Sequence, residues 1–521
     1  MRALAAALLA LSAAAAAGGT VVLKGGAIYT LDPAHPWAGA LAIRDGRIAY
    51  VGNDAERFET KDARIVALHG RMVLPGFHDA HSHPMSGAMR LLRCRLDGGA
   101  ARIAAQVRAC AKTQKGPWLL GAGWPPKAFA PTTAKLDALV PDRPAFLTTQ
   151  DGFIGWANTK ALDAAGIARA AGALTPEQTQ RVRRAVPPPG EAAYREAFAR
   201  ASAIANGFGI TSVFDAAATP ALLAAYRASD RAGALTLRVA AAQRVDVGRG
   251  PEQAAAMIAW RERVRSAHLS AGAAKIFLDE EVTMHTAALL APYADAPSTR
   301  GTLFVAPARL DALVQRLDAA GFDLHMHAMG DLAARAGLDA IERAARANGA
   351  RDRRHQLAHL AVVDPADAPR FGRLGVTSVF TPLWARPDDP AYAATVTALG
   401  PKRARWMYPI ARIAAQGGRI AAGSDWMSTP MNPLESIAAA MTRGGGEAMP
   451  LAAMIAAYTT DAAWAAREDG VDGTLAAGKA ADLVVLDRNL FAAAPAGIAK
   501  AHVLLTLLDG RPVYRDPSFA W

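Results

Sequence analysis

Cysteine is scarce in this sequence. Neither of its two cysteines, Cys94 and Cys110, belongs to a Cys-x-x-Cys or Cys-x-x-Cys-His motif, which argues against thiol redox catalysis and haem attachment. An even pair can form a disulfide in an oxidising compartment, and the alternative is two buried thiols. We predict a Cys94–Cys110 disulfide, although the sequence does not give the Cα separation that such a bond requires.

Other signatures are missing as well. Beyond the N-terminal segment, no apolar run is long enough to cross a bilayer, so we expect no membrane association of the mature chain. No Gly-x-Ser-x-Gly motif is present, and serine-type hydrolysis therefore has no support. No internal repeat at a solenoid-like period is apparent.

Acidic residues are outnumbered, and the formal net charge is +12. The basic residues are scattered, however, and the short runs at 181–184, 351–354 and 402–405 lack interleaved aromatic residues or a nucleic-acid motif. We interpret these runs as solvated faces and expect no nucleic-acid partner.

The N-terminus has the pattern of a signal peptide. Arg2 is followed by a short apolar core from Ala3 to Leu11 and by small residues from Ser12 to Ala17. The alternative is an alanine-rich helix of the mature fold. We predict a signal peptide over residues 1–19 and a periplasmic or secreted protein.

Two histidines, His81 and His83, lie two positions apart in a strand-like segment that follows Pro75-Gly76. Residues i and i+2 of a strand point to the same face. Two imidazoles on one face can hold one transition metal ion, although an isolated His-x-His is a weak signal.

Further strand-like segments supply residues of the same chemical kind. His325 and His327 share one face of a strand, His359 ends another, and Asp425 follows an apolar run. Lys275 lies inside a fourth apolar strand. Each segment follows a helix-like stretch, which is the rhythm of a parallel barrel whose working residues lie at the C-terminal ends of its strands.

Eight motifs give the chain a family resemblance. They are Pro-Gly-Phe-His-Asp-Ala-His-Ser-His (75–83), Asp-Gly-Phe-Ile-Gly-Trp-Ala-Asn-Thr-Lys-Ala-Leu (151–162), Gly-Ile-Thr-Ser-Val-Phe-Asp-Ala (209–216), Lys-Ile-Phe-Leu-Asp (275–279), His-Ala-Met-Gly-Asp (327–331), Arg-His-Gln-Leu-Ala-His (354–359), Gly-Ser-Asp-Trp (423–426) and Gly-Lys-Ala-Ala-Asp-Leu-Val-Val-Leu-Asp (478–487). Because it carries these motifs in this order, the chain resembles the amidohydrolase superfamily, and within it the amidohydrolase 3 group of metal-dependent hydrolases.

The predicted architecture is α/β, a TIM-like (β/α)8 barrel over residues 76–470. Both chain ends, 20–75 and 471–521, alternate like strands, with Asp45-Gly46 and Asp509-Gly510 as hairpin turns. We expect these ends to form one small β-sandwich, as the resemblance also implies. Residues from about 85 to 205 do not have the pattern of a single β/α unit. We interpret them as an insertion after the first barrel strand that covers the barrel mouth.

The resemblance implies the ligand set. One metal ion would be held by His81, His83 and Asp425, and a second by His327 and His359. Lys275 would bridge the two ions as a carboxylated lysine. The ions, expected to be two zinc ions, would activate a hydroxide, and Asp425 would be the catalytic residue that moves its proton to the leaving group.

Each residue taken alone has a simpler interpretation. His327 or His359 could be a hydrogen-bonded core histidine, Lys275 a strand lysine that reaches water, and Asp425 a helix N-cap. His325 could lie behind the ligands or exchange roles with His327. We interpret His78 as structural because it should face away from the ligands, and Asp331 as a helix start.

The chain departs from the family pattern at several positions. Phe153 stands where many members have His, Ala358 where they have Glu, Met427 where they have Pro, and Glu280-Glu281 where they have Gly-Ser. Phe153 makes a more apolar substrate or a different leaving group plausible. Expected pocket walls are Trp124, Phe153 and Trp426, whereas Trp156 fits a core position equally well.

The leading functional prediction is a binuclear zinc hydrolase that cuts a carbon–nitrogen bond other than a peptide bond in a small molecule. The first alternative is a mononuclear deaminase of the same superfamily, which would leave Lys275 unmodified and need a carboxylic acid near the histidine of the fifth strand. The second is a catalytically inactive periplasmic binding protein. A homo-oligomer is one alternative for the assembly state.

Overall fold

The computed structural model describes residues 19–125, 130–149, 154–168 and 172–521. The segment predicted as a signal peptide, apart from Gly19, and Phe153 therefore lie outside the described residues. The described chain falls into two compact units, one within residues 1–84 and 202–521 and one within residues 85–201. Among the described residues, no helix combines the length and the apolar character needed to cross a membrane.

The strands of the described residues are numbered in chain order. They are β1 (Val21–Tyr29), β2 (Trp37–Arg44), β3 (Arg47–Gly52), β4 (Arg64–Ala67), β5 (Met72–Pro75), β6 (Phe77–Ser82), β7 (Cys94–Arg95), β8 (Leu119–Ala122), β9 (Ala145–Thr148), β10 (Gly155–Ala157), β11 (Ile210–Ala218), β12 (Arg238–Arg244), β13 (Leu269–Phe277), β14 (Asp323–Ala328), β15 (Gln356–His359), β16 (Thr377–Phe380), β17 (Ile420–Ala422), β18 (Leu483–Leu486), β19 (Val503–Leu508) and β20 (Arg511–Arg515).

The helices of the same residues are numbered likewise. They are α1 (Pro84–Ala88), α2 (Ala100–Thr113), α3 (Thr133–Leu139), α4 (Thr159–Ala164), α5 (Pro176–Ala185), α6 (Glu191–Gly207), α7 (Pro220–Arg231), α8 (Ala254–Val264), α9 (Pro307–Ala319), α10 (Asp331–Asn348), α11 (Ala368–Leu374), α12 (Pro390–Ala404), α13 (Ile410–Ala415), α14 (Pro433–Met441), α15 (Leu451–Ala457), α16 (Thr460–Ala466) and α17 (Pro495–Ala499). Short 3-10 turns lie at Glu56–Phe58, Pro251–Gln253, Val282–Met284, Pro382–Ala385 and Leu490–Ala492.

Both chain ends contribute to one sheet. Its described strands run in the order β20-β19-β18-β5-β1-β2-β3, and β4 pairs with β1. Leu23 and Ile43 from the N-terminal end share one apolar core with Leu483 and Leu505 from the C-terminal end. The two ends therefore fold together around one sheet and one core, which confirms a small β-domain built from both chain ends.

The two predicted hairpins are present in this sheet. Asp45 and Gly46, between β2 and β3, have φ values of 51° and 76°, and Asp509 and Gly510, between β19 and β20, have values of 48° and 70°. Two consecutive residues with positive φ form the turn that matches the twist of an antiparallel hairpin, and this explains the Asp-Gly pairs.

Eight of the described strands form the predicted parallel barrel, in the order β17-β16-β15-β14-β13-β12-β11-β6. At the C-terminal edge, the backbone N–H of Asp425, after β17, donates to the carbonyl of His81 in β6 over 2.7 Å. This bond links the last strand to the first and confirms the (β/α)8 class. It also brings the ends of distant chain segments to one place.

The N-terminal ends of the barrel strands carry a buried charged cluster, which we call the lower cluster. Arg238 at the start of β12 lies 2.6 Å from Asp482 and 3.5 Å from Asp472. His78 in β6 lies 3.2 Å from Asp472 and 3.4 Å from Glu468. His78 thus faces away from His81 and His83, as the sequence analysis expects.

The second unit has its own sheet, in which the described strands run in the order β10-β9-β8-β7. Cys94 in β7 and Cys110 in α2 are joined by a disulfide, with their Cα atoms 5.7 Å apart. Trp124 and Trp156 are each only 1% exposed and pack in the same apolar core as Cys94. Trp124 therefore packs in the core of this unit, and its assignment as a pocket wall stays a prediction.

Candidate metal centre

The C-terminal ends of five barrel strands bring together all six residues of the expected ligand set. His81 and His83 lie at the end of β6, Lys275 in β13, His327 in β14, His359 at the end of β15 and Asp425 just after β17. This convergence follows from the parallel strand order, because every strand presents its C-terminal end to the same mouth.

His81, His83 and Asp425 form one possible ligand group. Nε2 of His83 lies 3.3 Å from Oδ1 of Asp425, and Nε2 of His81 lies 3.6 Å from the same oxygen. One ligand atom from each residue lies within 4.8 Å of the others. Nε2 of His81 is buried and has no hydrogen-bond partner among the described residues. A divalent cation could be bound by these nitrogen and oxygen ligand atoms, so the group fits a metal ion.

His327, His359 and Lys275 lie beside that group. The ring centroids of His327 and His359 are 4.4 Å apart, and those of His359 and His81 are 4.5 Å apart. Lys275 is fully buried, and its Nζ has no hydrogen-bond partner among the described residues. A buried amine without an acceptor is costly as an ammonium ion, so this position favours a neutral or modified lysine.

Burial controls the protonation of these side chains. It lowers the pKa of Lys275 to about 7, against the opposing effect of the Asp425 and Asp215 charges. Burial and the nearby Lys275 charge lower the pKa of His327 to about 3 and that of His81 well below its usual value. The imidazoles of His81 and His327 are therefore neutral at physiological pH, which is the form that binds metal ions.

A chain of hydrogen bonds orients His81. Nδ1 of His81 lies 2.8 Å from Nε2 of His325, and Nδ1 of His325 lies 2.9 Å from Oε1 of Gln356. Since the Gln356 oxygen only accepts, Nδ1 of His325 carries its proton and Nε2 accepts one from Nδ1 of His81. Nε2 of His81 is then deprotonated and faces Asp425. Of the two arrangements left open for His325, the structure thus places it behind His81.

Asp79, to which the sequence assigned no role, binds Ser424, the residue just before Asp425. One oxygen of the buried Asp79 carboxyl accepts from the backbone N–H of Ser424 over 2.8 Å, and the other accepts from the Ser424 hydroxyl over 2.5 Å. Gly423 permits this close approach, because a Cβ there would lie 2.4 Å from the backbone nitrogen of His81. The available signal was an acidic residue two positions before His81 in the same strand.

Three more side chains around the centre were not assigned a role from the sequence. Asp279 is buried, accepts backbone N–H groups of Ala288, Met329 and Gly330, and lies 3.8 Å from Nε2 of His327. Burial raises its pKa to about 7. Trp384 stacks on His359 with ring centroids 5.1 Å apart. Burial, with the Asp425 charge, raises the pKa of Glu281 to about 7.

The other residues with predicted roles occupy varied positions. Trp426 is 7% exposed and adjoins Asp425 in the chain, and its role as a pocket wall stays a prediction. Asp331 starts α10, where its carboxylate accepts backbone N–H groups of Leu290 and Leu332, in keeping with a helix start. Phe153 lies outside the described residues, so the structure does not place it.

Comparison with known proteins decides the family. The model of the amidohydrolase family matches residues 64–514. The chain belongs to the amidohydrolase family. The resemblance drawn from the eight motifs is thereby confirmed, and the protein is a hydrolase whose site fits a metal-dependent reaction.

Relatives of this amidohydrolase match along most of its length. It is 28% identical over 539 residues to "Protein LONG AFTER FAR-RED 3" of Arabidopsis thaliana, covering 95% of this chain and 91% of that protein. It is 26% identical over 546 residues to an N-substituted formamide deformylase of Arthrobacter pascens, covering 93% and 96%. The crystal structure of a metal-dependent hydrolase from Pyrococcus furiosus aligns with a TM-score of 0.78 and 24% identity, covering 90% of this chain and 99% of that one. At this identity, the last likeness concerns the fold.

Proposed function

We propose that this amidohydrolase uses two divalent metal ions, zinc in the first instance, to hydrolyse a carbon–nitrogen bond other than a peptide bond, in an N-formyl or N-acyl compound. The observation that carries the proposal is the convergence of four histidines, Asp425 and an unpartnered, buried Lys275 at one barrel mouth. The similarity to an N-substituted formamide deformylase supports the substrate class.

The positions of the side chains support the proposed ligand roles. His81, His83 and Asp425 would hold one ion, and His327 and His359 the other, with carboxylated Lys275 between them. Such ions, when bound, lower the pKa of water and polarise the scissile carbonyl. The pKa of about 7 for Lys275 leaves a large share of neutral amine, which is the form that reacts with carbon dioxide.

Asp425 is proposed as the group that moves the proton. Burial favours its neutral form, but the hydrogen bond and charge of His83 outweigh burial and lower its pKa. The carboxylate can therefore accept a proton from the attacking water and deliver it to the leaving nitrogen. If Asp425→Asn kept both its metal content and its turnover, this role would be refuted.

One observation favours a second candidate, the mononuclear deaminase. The sequence shows no evident acid near the histidine of the fifth strand, but the Asp279 carboxyl lies 3.8 Å from Nε2 of His327. Its two oxygens already accept three backbone N–H groups, however. This arrangement supports a loop-forming role for Asp279, and we therefore rank the deaminase second.

Metal content per chain tests the proposal. We expect about two equivalents in the purified enzyme and a clear loss in Lys275→Ala, while Lys135→Ala, a change of an exposed lysine in the second unit, should keep both. One equivalent that is insensitive to Lys275→Ala would favour the deaminase. A protein that binds no metal, even after reconstitution, would favour the inactive binding protein.

We also propose that the chain is exported. The N-terminal signal pattern and the Cys94–Cys110 disulfide agree with an oxidising compartment. N-terminal sequencing of the protein recovered from periplasm and medium would show whether the first 19 or so residues are removed.

A further inference from the structure

Arg244 is the last residue of β12, at the end of the strand that faces the metal centre. Ala240 and Ala242 of this strand pack with Phe214 and Ala273 inside the barrel. Alternate residues of a strand share a face, so Arg244 is on the inward face as well. The barrel thus presents a guanidinium at its catalytic mouth.

The neighbours of Arg244 belong to the metal centre. In the parallel pairing of β12 with β13, Arg244 lies in register with Lys275. Its guanidinium carbon lies 5.6 Å from the ring centroid of Phe277. That ring is 5.5 Å from the ring of His327 and 4.7 Å from Nζ of Lys275. A group bound to Arg244 would therefore lie one aromatic ring away from two expected metal ligands.

Among the residues that the structure describes, no acidic group pairs with this guanidinium. Within the described ranges, Arg244 forms no ion pair and no hydrogen bond, and its side chain is exposed. Arg238, at the opposite end of the same strand, is by contrast paired with Asp482 and Asp509. A guanidinium presents parallel N–H donors that match the two oxygens of a carboxylate. The stacking on Phe277 orients the donors without using them.

We propose that Arg244 binds a carboxylate of the substrate, so that the enzyme acts on N-formyl or N-acyl amino acids in preference to uncharged amides. This inference rests on the proposed function, since it adds a carboxylate to the same substrate class. Arg244 contributes binding and orientation, and the bond-breaking step stays with the metal centre and Asp425.

Two compounds that differ by one carboxylate provide the test. N-formylphenylalanine, used as both enantiomers, and N-formyl-2-phenylethylamine share every other group. With the metal-loaded enzyme, we expect kcat/KM for the preferred enantiomer to exceed that for the neutral compound by roughly tenfold or more, the scale of one charge-assisted hydrogen-bonded pair. The difference should reside mainly in KM.

Arg244→Met should remove this preference by raising KM for the carboxylate, while kcat/KM for the neutral compound changes little. Arg263→Met is a matched control, because Arg263 also stacks on an aromatic ring, Trp260 at 4.9 Å, but lies on the outer helix α8. The control should behave like the wild type. An Arg244→Met enzyme that keeps the wild-type ratio between the two compounds would overturn the inference.

Failure of the proposed function would look different. If neither compound were hydrolysed, calorimetric binding of N-formylphenylalanine to the wild type and to Arg244→Met would still decide the inference. Affinity that falls roughly tenfold in the variant supports it, and equal or undetectable binding in both overturns it. Hydrolysis of the neutral compound alone would agree with the proposed function but refute the proposal that Arg244 binds a substrate carboxylate.

Discussion

Nδ1 of His81 donates a hydrogen bond to Nε2 of His325 over 2.8 Å, and this bond leaves the unprotonated Nε2 of His81 facing Asp425. His325 thereby acts on the centre without being one of its expected ligands. Its own Nδ1–H donates to Gln356, so the protonation of both rings is set by an amide oxygen. The first prediction follows from this relationship.

Replacing His325 should weaken metal binding without removing a ligand. His325→Leu deprives Nδ1 of His81 of its acceptor, and we expect metal affinity to fall by about 10- to 100-fold in chelator competition. His325→Gln keeps an acceptor oxygen and should recover part of the loss. Equal affinity in the wild type and the Leu variant would show that the bond does not tune the centre.

Gly423→Ala should destabilise the protein and disturb the centre. The added Cβ would lie 2.4 Å from the backbone nitrogen of His81, so strands at the barrel seam must move apart. We expect a loss of about 1–3 kcal/mol in the free energy of unfolding, together with metal loss. Gly272→Ala is the control, since a Cβ there meets nothing within 4 Å. Equal stability of the two variants in urea would contradict the prediction.

The lower cluster should make stability depend on pH. Burial and the Asp472 charge raise the pKa of Glu468 to about 7 from 4.5, and the pKa of His78 is raised as well, because the charges of Asp472 and Glu468 outweigh its burial. The folded state therefore binds more protons than the unfolded state between about pH 4.5 and 7. This contribution to stability is present at the acidic end and is lost as pH rises through the folded pKa values.

Glu468→Gln tests the direction of this pH dependence of stability, because the amide imitates the protonated carboxyl. We expect the variant to melt at a higher temperature than the wild type at pH 8, by the equivalent of about 1–3 kcal/mol, and the difference to shrink at pH 5. A variant that is less stable than the wild type at pH 8 would mean that the ionised carboxylate stabilises the cluster.

Asp318 should behave in the opposite way. Its buried carboxylate pairs with Arg353 through both oxygens, each 2.9 Å from a guanidinium nitrogen, and lies 3.2 Å from His355. Burial opposes ionisation, but these hydrogen bonds lower the pKa of Asp318 well below its usual value. Its stabilisation is thus present above pH 4 and is lost in stronger acid.

Asp318→Asn should cost about 3–5 kcal/mol of unfolding free energy at pH 7, since it leaves the charge of Arg353 uncompensated. The control is Asp388→Asn, which breaks the pair of the exposed Asp388 with Arg386 and should cost at most about 1 kcal/mol. Chemical denaturation of both variants measures the contrast, and similar losses would refute it.

Much of the centre was predictable because its residues sit in local patterns. Strand periodicity predicts that His81 and His83, two positions apart, share one face. The apolar residues around Lys275 likewise mark its segment as a buried strand. The supporting contacts were not predictable in this way. Asp79 and Ser424 are 345 positions apart, and nothing in either local sequence specifies the partner. Local sequence also does not distinguish an aromatic residue that lines a pocket from one that fills a core, and Trp124 packs in an apolar core.

The sequence by itself determined the alternation of strands and helices, the chemical kinds of the ligands and their order along the chain, because these depend on neighbouring residues and on backbone periodicity. Only the tertiary structure decided which imidazole nitrogen of His81 faces Asp425, that Asp79 binds Ser424 at the barrel seam, and that Arg244 has no ion-pair or hydrogen-bond partner among the described residues. Those features depend on barrel closure, which brings residues hundreds of positions apart within hydrogen-bonding distance and leaves others unpaired.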